Sequence, residues 1–512
     1  MNHYPRGIYL RFSESMDPLA NARVHALAAS LLADVPAGVT DLLPGYASLY
    51  VEYDAWRVSE GRVRRWVERH AENELSHSGS DVEIPVAYGG EDLPNVAERS
   101  GLTSAQVIER HSAEQYRVYA MGFSPGFPFM GEVPAEIRVP RHPSPRKRVP
   151  AHSVAIAGPQ TGIYPLASPG GWQLVGRALV RVYDPHREEP FLLRPGDRVR
   201  FNPAEGIPPD EPAPVALLPA EPKLPLLLVR EPGLLDLVVD RGRFLVGRFG
   251  LSRGGPLDPR SAALANALLG NVAAAPLLEM NLRGPVLEVV APGVLAYAGW
   301  GLSPLLNGQE VDPFRSFTVS RGDVLSFADA RFGRGRERVG CRGYLALAGG
   351  IAANSFSGSS STDLRGMIGS RLAAGDLLAV AARSSARPGF SFRPHRRPED
   401  PVVLRLLPGP QESKEAAEAL TAGPSRGRFR VASADRLGVR FDGDLVPGGE
   451  ILSEAVPLGA IQVPPGGSPI LLLNDRGTLG GYVKPALLHP GDLHKAGQLA
   501  AGSRVRFVWM NG

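Results

Sequence analysis

Three features of the 512-residue sequence predict a mainly β fold of several small barrels, with an α+β unit at the front. The 59 glycines and 49 prolines are spread along the chain. That suits many short strands joined by tight turns, because Gly opens positive φ and Pro pre-sets φ. A Gly-Asp or Gly-Ser turn feeding an alternating strand recurs at Pro195 to Phe201 (PGDRVRF), Arg321 to Phe327 (RGDVLSF), Ala374 to Val380 (AGDLLAV) and Ala501 to Phe507 (AGSRVRF). Such recurrence marks repeated β units rather than one large sheet. Two longer stretches, Arg148 to Arg177 and Gly459 to Lys484, share short apolar strands, Pro and Gly turns and a Gly-Gly-aromatic close.

In chain order, Ile8 to Leu10 reads as a strand, and Ala20 to Leu32 as a helix with Val24, Leu27, Ala28, Leu31 and Leu32 on one face. Ala47 to Tyr53 alternates like a strand, and Glu60 to Leu75 is helical around Val63, Trp66 and Val67. This order predicts a small sheet with helices on one face. Glu83 to Tyr88 opens the next unit, and Thr103 with Gln106 has capping-box spacing. Val154 to Ile156 reads as a buried strand, with Gly158-Pro159 and Ser168-Pro169-Gly170-Gly171 as turns. Pro203 to Pro225 is a Pro-rich, acidic run without aromatics, read as a semi-rigid linker. Asp258-Pro259 starts a helix that ends at Gly270. Strands follow at Leu278 to Val290, Val294 to Ala298, Phe317 to Phe327, Tyr344 to Leu347 and Ile470 to Leu473, with one helix around Glu412 to Leu420.

Composition excludes several classes. Lys+Arg is 56 against 52 Asp+Glu, and the clusters Arg336-Glu337-Arg338 and Arg396-Arg397 are short, so no nucleic-acid face is expected. The single Cys341 sits in an apolar strand and reads as packing. No signal peptide and no membrane-length apolar run are seen, which points to a cytoplasmic protein off the membrane. None of Lys147, Lys223, Lys414, Lys484 and Lys495 follows a glycine or neighbours a methionine. A phosphate-loop lysine and a covalent biotin on this chain are therefore not expected. His489, Asp492 and His494 lack further ligands and read as a surface loop, so no metal site is assigned. Gly122 to Gly126 matches the spelling of a nucleophile elbow. Pro125, after the serine, has no N–H to give an oxyanion, so the segment reads as an aromatic loop closing over a core or pocket. Ser153, Gln160, Thr161, Ser168 and Gln173 among these turns make either a polar pocket lining or a tight barrel corner.

Residues 84–111 (IPVAYGGEDLPNVAERSGLTSAQVIERH), 121–131 (MGFSPGFPFMG), 148–177 and the PGDRVRF ending resemble allophanate hydrolase subunit 1 proteins. These include the B subunit of bacterial ATP-dependent 5-oxoprolinase and Kip-type inhibitors of a histidine kinase. Residues 240–271, 277–285, 341–351, 358–369 (GSSSTDLRGMIG), 433–443 (SADRLGVRFDG) and 459–484 resemble subunit 2, the C subunit of that enzyme. The resemblance implies a B–C fusion with an α+β unit (1–82), a cyclophilin-like barrel (83–203), the linker (204–224) and two cyclophilin-like halves (225–383 and 384–512). It further implies opening of 5-oxoproline to glutamate with ATP and Mg2+, a LamB/YcsF-type A subunit as partner, and room for a homo-oligomer.

On the matching motifs the catalytic candidates are Gln160, Gln462 and Asp475. The substrate- or nucleotide-binding candidates are Arg148, Ser153, Thr161, Ser168, Gly170, Trp172, Asp258, Asn266, Glu279, Thr362, Asp363, Thr478 and Tyr482. Asp258 and Asn266 also read as a helix cap and pin, Glu279 as partner of a buried arginine, and Trp172 as a core anchor. The chain departs from the subunit-2 pattern at Val239, Gly254, Gly301 and Gly477, where Gln, Ser, Asp and Gln are usual. A carboxyltransferase of the urea carboxylase type and a Kip-like regulator without catalysis are the competing readings.

Overall fold

The computed structural model describes residues 2–4, 7–71, 79–329, 340–393, 399–421 and 428–510. The clusters at 336–338 and 396–397 and the end of the second expected helix lie outside them. The first unit is a four-stranded antiparallel sheet in the order Asn2–Tyr4, Gly7–Arg11, Ser48–Tyr53, Val39–Pro44. Helix Pro18–Ala33 begins where the Asp17 carboxylate accepts the N–H groups of Leu19 and Ala20, and with helix Glu60–Ala71 it covers one face. The opposite face packs Tyr9, Leu43 and Tyr50 onto Ala455, Val456 and Leu487. Val39–Pro44 is buried at every residue and so carries no in-out alternation, which hid it from the sequence reading.

The second unit is a closed seven-stranded barrel. Its ring order is Gln160–Ile163, Pro128–Gly131, Gln115–Met121, Arg198–Pro203, Asp81–Tyr88, Gln173–Ala178, Ser153–Ala157. Only the pair of first and last strands, Asp81–Tyr88 and Arg198–Pro203, runs parallel. The last unit repeats this plan. Ile470–Leu472, Gly438–Asp442, Arg428–Ala434, Arg504–Trp509, Val402–Pro408, Leu479–Leu488 and Ala460–Val463 form the same ring, again with first and last strands parallel. The recurring PGDRVRF and AGSRVRF segments are those closing last strands. Between the two, residues 225–383 form a six-stranded and a five-stranded sheet. They share one core of Leu227, Val238, Leu278, Leu295 and Leu345, and no ring closes among the described residues.

Inside the first barrel, the Thr161 hydroxyl donates to the carbonyl of Ala155 (3.0 Å) and so accepts from His111 Nε2 (2.9 Å). That leaves His111 Nδ1 to accept from the Tyr88 hydroxyl (2.8 Å). Burial holds the imidazole down at about 3, so it is neutral. The capping box at Thr103 and Gln106 forms as expected, and Asp258 caps helix Pro259–Ala267. No helix among the described residues is long and apolar enough to cross a membrane.

Three expectations change. Ser168–Gly170 is a short strand paired with Arg146–Val149 rather than a turn. Within Met121 to Gly131, the expected loop gives way to strand from Pro128, and Phe127 and Phe129 are core residues. The 489–494 segment is no surface loop. Asp492 is fully buried and accepts from Arg405 N, Nε and Nη2 (2.9, 2.9 and 2.8 Å) and from Lys495 Nζ (2.9 Å). A Pro-Gly turn hid this because its polarity serves a buried ion pair instead of water.

Burial alone would raise the Asp492 carboxyl, but the bonds from Arg405 and Lys495 outweigh it and hold it at about 2. A carboxyl whose pKa falls on folding contributes stability above its unfolded value, and that contribution fades as pH drops toward the folded one. The Asp492 contribution, about 2 kcal/mol, is therefore full above roughly pH 4 and fades as the pH falls from there through about 2. Thermal melts of wild type and Asp492→Asn from pH 6 down to about pH 2 should show a gap that narrows below about pH 4; a constant gap would contradict this role.

Candidate functional site

The long loop from Asp240 to Asp258, between strand Leu235–Val239 and helix Pro259–Ala267, runs through the junction of the first unit, the 225–383 unit and the last barrel. Buried polar groups fix its path. Asp240 accepts from the hydroxyls of Ser359 (2.5 Å) and Ser361 (2.7 Å) and from the N–H groups of Ser360 and Gly242. Gly242 has φ +91°, and a Cβ there would meet Arg253 O at 2.7 Å, so only glycine fits. Asp363 accepts from the Ser252 hydroxyl (2.6 Å) and from the N–H groups of Arg365 and Gly366. Thr362 bonds twice to Val238 O. Arg243 is buried beside Ser361 O, and its Nε and Nη1 have no partner among the described residues.

The strongest fixture is Arg436, which sits at the tip of the hairpin joining Arg428–Ala434 to Gly438–Asp442. Its guanidinium donates to both Asp475 oxygens (2.8 and 3.1 Å), to Glu279 and to Gly255 O (2.8 Å). Burial would push the Glu279 carboxyl up. Arg436, Arg342, the Leu257 N–H and the Tyr344 hydroxyl outweigh it and hold Glu279 below the usual range. Tyr344 faces Glu279 across the sheet, donates to it (2.7 Å), and accepts the Asp258 N–H (2.7 Å). Asp258 is held in turn by Ser261 and by Gln498 Nε2 (2.8 Å). Asn474 Nδ2 closes the clamp on the carbonyls of Gly254 (2.9 Å) and Pro256 (3.1 Å).

On the other side of this loop lies a cavity of about 310 Å³. Thr40, Glu52 and Trp56 reach it from the first unit, Asp240, Arg241 and Arg253 from the second half, and Asn474 and Leu458 from the last barrel. Glu52 ties the units together. It accepts from Thr40 (3.1 Å), Arg476 (3.2 Å) and Arg253 (3.4 Å).

The structure thus gathers Asp258, Glu279 and Asp475 into one bonded network and fixes Thr362 and Asp363 on the segment that braces the loop. Asn266 lines the cavity, with its amide donating to Ala275 O (2.9 Å). Gln462 and Thr478 are buried, and Gln462 Nε2 and Thr478 Oγ1 lack partners among the described residues. Tyr482 pairs with Glu450 along its strand. The first-half candidates lie apart, in the barrel. Ser153 is buried and donates to Pro150 O (2.8 Å), Thr161 is the core strut above, and Gln160 is half-buried beside Gly131. Trp172 packs edge-on against Phe127, near Ser168 and Gly170, while Arg148 is exposed near Glu211. Sequence reading passed over Arg436, Arg241, Arg253 and Glu52. Arg436 had a signal, since an arginine in an Asp-Arg-Leu-Gly turn between apolar strands must find a counter-charge.

Residues 3–193 match the family model described as carboxyltransferase domain, subdomain C and D, and residues 249–509 match carboxyltransferase domain, subdomain A and B. The chain is 46% identical to the B subunit of 5-oxoprolinase from Escherichia coli O157:H7 over 188 residues, 35% of this chain and 84% of that protein. It is 32% identical to the C subunit of 5-oxoprolinase from Escherichia coli strain K12 over 291 residues, 55% of this chain and 91% of that protein. The crystal structure of TTHA0988 superposes with a TM-score of 0.93 at 55% identity, covering 98% of this chain and 99% of the other.

Arg436→Ala leaves two buried carboxylates without their cation and should cost about 3–5 kcal/mol in urea unfolding. Asp475→Asn, which keeps the shape and one carboxylate pair, should cost clearly less. Equal losses would mean that the arginine is not the shared centre.

Proposed function

The chain belongs to the carboxyltransferase-domain family, and from that premise we propose that it is a natural fusion of the B and C subunits of an ATP-dependent 5-oxoprolinase. The observation that carries the reading is the division of the match. One half follows the B subunit over 84% of its length, the other follows the C subunit over 91%, and both halves supply walls to one cavity. The proposed partner is a separate A subunit of the LamB/YcsF type.

A five-membered lactam resists water because its amide resonance must be broken before the ring opens. Moving the γ-phosphoryl group of ATP onto the lactam oxygen, with ADP leaving, turns that oxygen into a leaving group. Water then adds to the carbon, the ring C–N bond breaks as the nitrogen takes up a proton, and a second water hydrolyses the resulting γ-glutamyl phosphate to glutamate and phosphate. Such a path needs cations against the phosphoryl oxygens and donors against the developing oxyanion. In this chain Arg241 and Arg253 face the cavity as cations. Gln462 Nε2 and Thr478 Oγ1 are spare buried donors among the described residues. We assign Asp475 and Glu279 to positioning, since both act through Arg436 on the cavity floor. Gln160, Ser168, Gly170 and Trp172 of the first-barrel unit are assigned to substrate or partner contact.

The test is release of ADP and glutamate from ATP plus 5-oxoproline, with and without a co-expressed A subunit. Coupled release only with the partner is expected, and Asp475→Asn should lower kcat by about tenfold or more with a smaller change in KM. A folded complex that turns over neither ATP nor 5-oxoproline would overturn the assignment, and turnover with biotin-linked substrates would favour the carboxyltransferase reading.

A further inference from the structure

Two arginines at the cavity lie over one shared ring. The guanidinium carbons of Arg241 and Arg253 are 4.8 and 4.9 Å from the centre of Phe244. Burial first, then the like charges of Arg57 and Arg253, hold the Arg241 guanidinium below its ordinary pKa. Its side chain makes no hydrogen bond or ion pair among the described residues, although it is half-buried and lines the cavity.

The nearby carboxylates are otherwise engaged. Both Asp240 oxygens accept from the Ser359–Ser361 segment, and Glu52 is shared among Thr40, Arg476 and Arg253. Asp54 accepts the Trp56 N–H (3.0 Å) in its own turn. Asp54 and Asp240 attract Arg241 by charge without bonding to it, so this half-buried guanidinium has lost water without gaining hydrogen-bond acceptors. At the rim, Trp56 is 92% exposed and still lines the cavity.

We propose that this cavity is a phosphoryl-binding site, with Arg241 and Arg253 holding the phosphoryl oxygens and Trp56 offering a stacking face at the entrance. The number of cations favours phosphoryl over a single carboxylate, because a dianion with three acceptor oxygens answers two planar forks at once. The inference rests on the ATP-dependent reading and gives its phosphoryl group a place. Two sources share this chemistry, a nucleotide polyphosphate and a phosphorylated acid, and the ring of Trp56 distinguishes them because only the first carries a base to stack.

The experiment measures binding of inorganic phosphate, ADP and phosphonoacetate (a stable stand-in for an acyl phosphate) to the full chain without partner, by calorimetry. Arg241→Ala should weaken every phosphorus-bearing ligand by roughly tenfold or more, and Arg241→Lys should recover part of it. Trp56→Ala should weaken ADP by roughly tenfold and leave phosphonoacetate unchanged if the occupant is a nucleotide. Tight phosphonoacetate binding with ADP indifferent to Trp56→Ala would assign the site to the phosphorylated acid. Absence of binding by wild type, or equal binding by a folded Arg241→Ala chain, overturns the site. A partnered complex in which Arg241→Ala keeps its turnover and its KM for ATP would overturn the site while the 5-oxoprolinase reading stands. Phosphoryl binding without turnover would do the reverse.

Discussion

Everything around the cavity depends on one buried cation. At a hairpin tip of the last barrel Arg436 is held by Asp475 of its own unit and reaches across to Glu279 and the Gly255 carbonyl of the 225–383 unit. An ion so far from water is tolerable only when its donors are met by acceptors, and its partners suffer the same constraint. The three charges therefore oblige strand Leu277–Asn281, the 254–258 loop and the last barrel to hold one mutual arrangement. Tyr344 and Asp258 extend that obligation to the start of helix Pro259–Ala267, and Gln498 extends it to the backbone of Cys341 and Arg342 (3.1 and 3.0 Å).

The same logic joins the halves. Glu52 on the first sheet meets Arg476 one residue beyond Asp475, and Asp41 accepts the Gly247 N–H (3.1 Å). Arg365 donates to Phe123 O (2.8 Å), and the Tyr183 hydroxyl donates to Gly366 O (2.6 Å). Phe191 stacks on Phe249 with ring centres 4.5 Å apart. Buried polar bonds of this kind are costly to break singly, so they specify one docking geometry more than they add net stability. A cavity walled by three units needs that specificity.

Much of the fold was legible because its signals are local. The capping box at Thr103, the Asp258 cap and the repeated turn-strand endings are short patterns whose physics acts within a few residues. The repeated endings PGDRVRF and AGSRVRF become the closing strands of the two barrels, which share one ring order. What escaped was set by distant partners. Val39–Pro44 lost its alternation because the last barrel covers the face that would otherwise meet water. Asp492 in its Pro-Gly turn reads as solvent-facing until Arg405, eighty-seven residues earlier, supplies its counter-charge. The site divides in the same way. Glu279, Asp258 and Asp475 stand in legible motifs, whereas Glu52, Arg241 and Arg253 matter through a junction that no single motif spans.

The central claim is that the Arg436 cluster holds the 254–258 loop, and with it the cavity floor. Hydrogen exchange on the full chain, comparing wild type with Glu279→Gln, tests this most directly. Leu257 N–H bonds to Glu279 and Asp258 N–H bonds to the tyrosine that Glu279 holds. The account predicts faster exchange confined to the peptide containing these two amides, with the 81–203 barrel unchanged. Unaltered protection at Leu257 and Asp258, or a loss spread evenly over the chain, would contradict it.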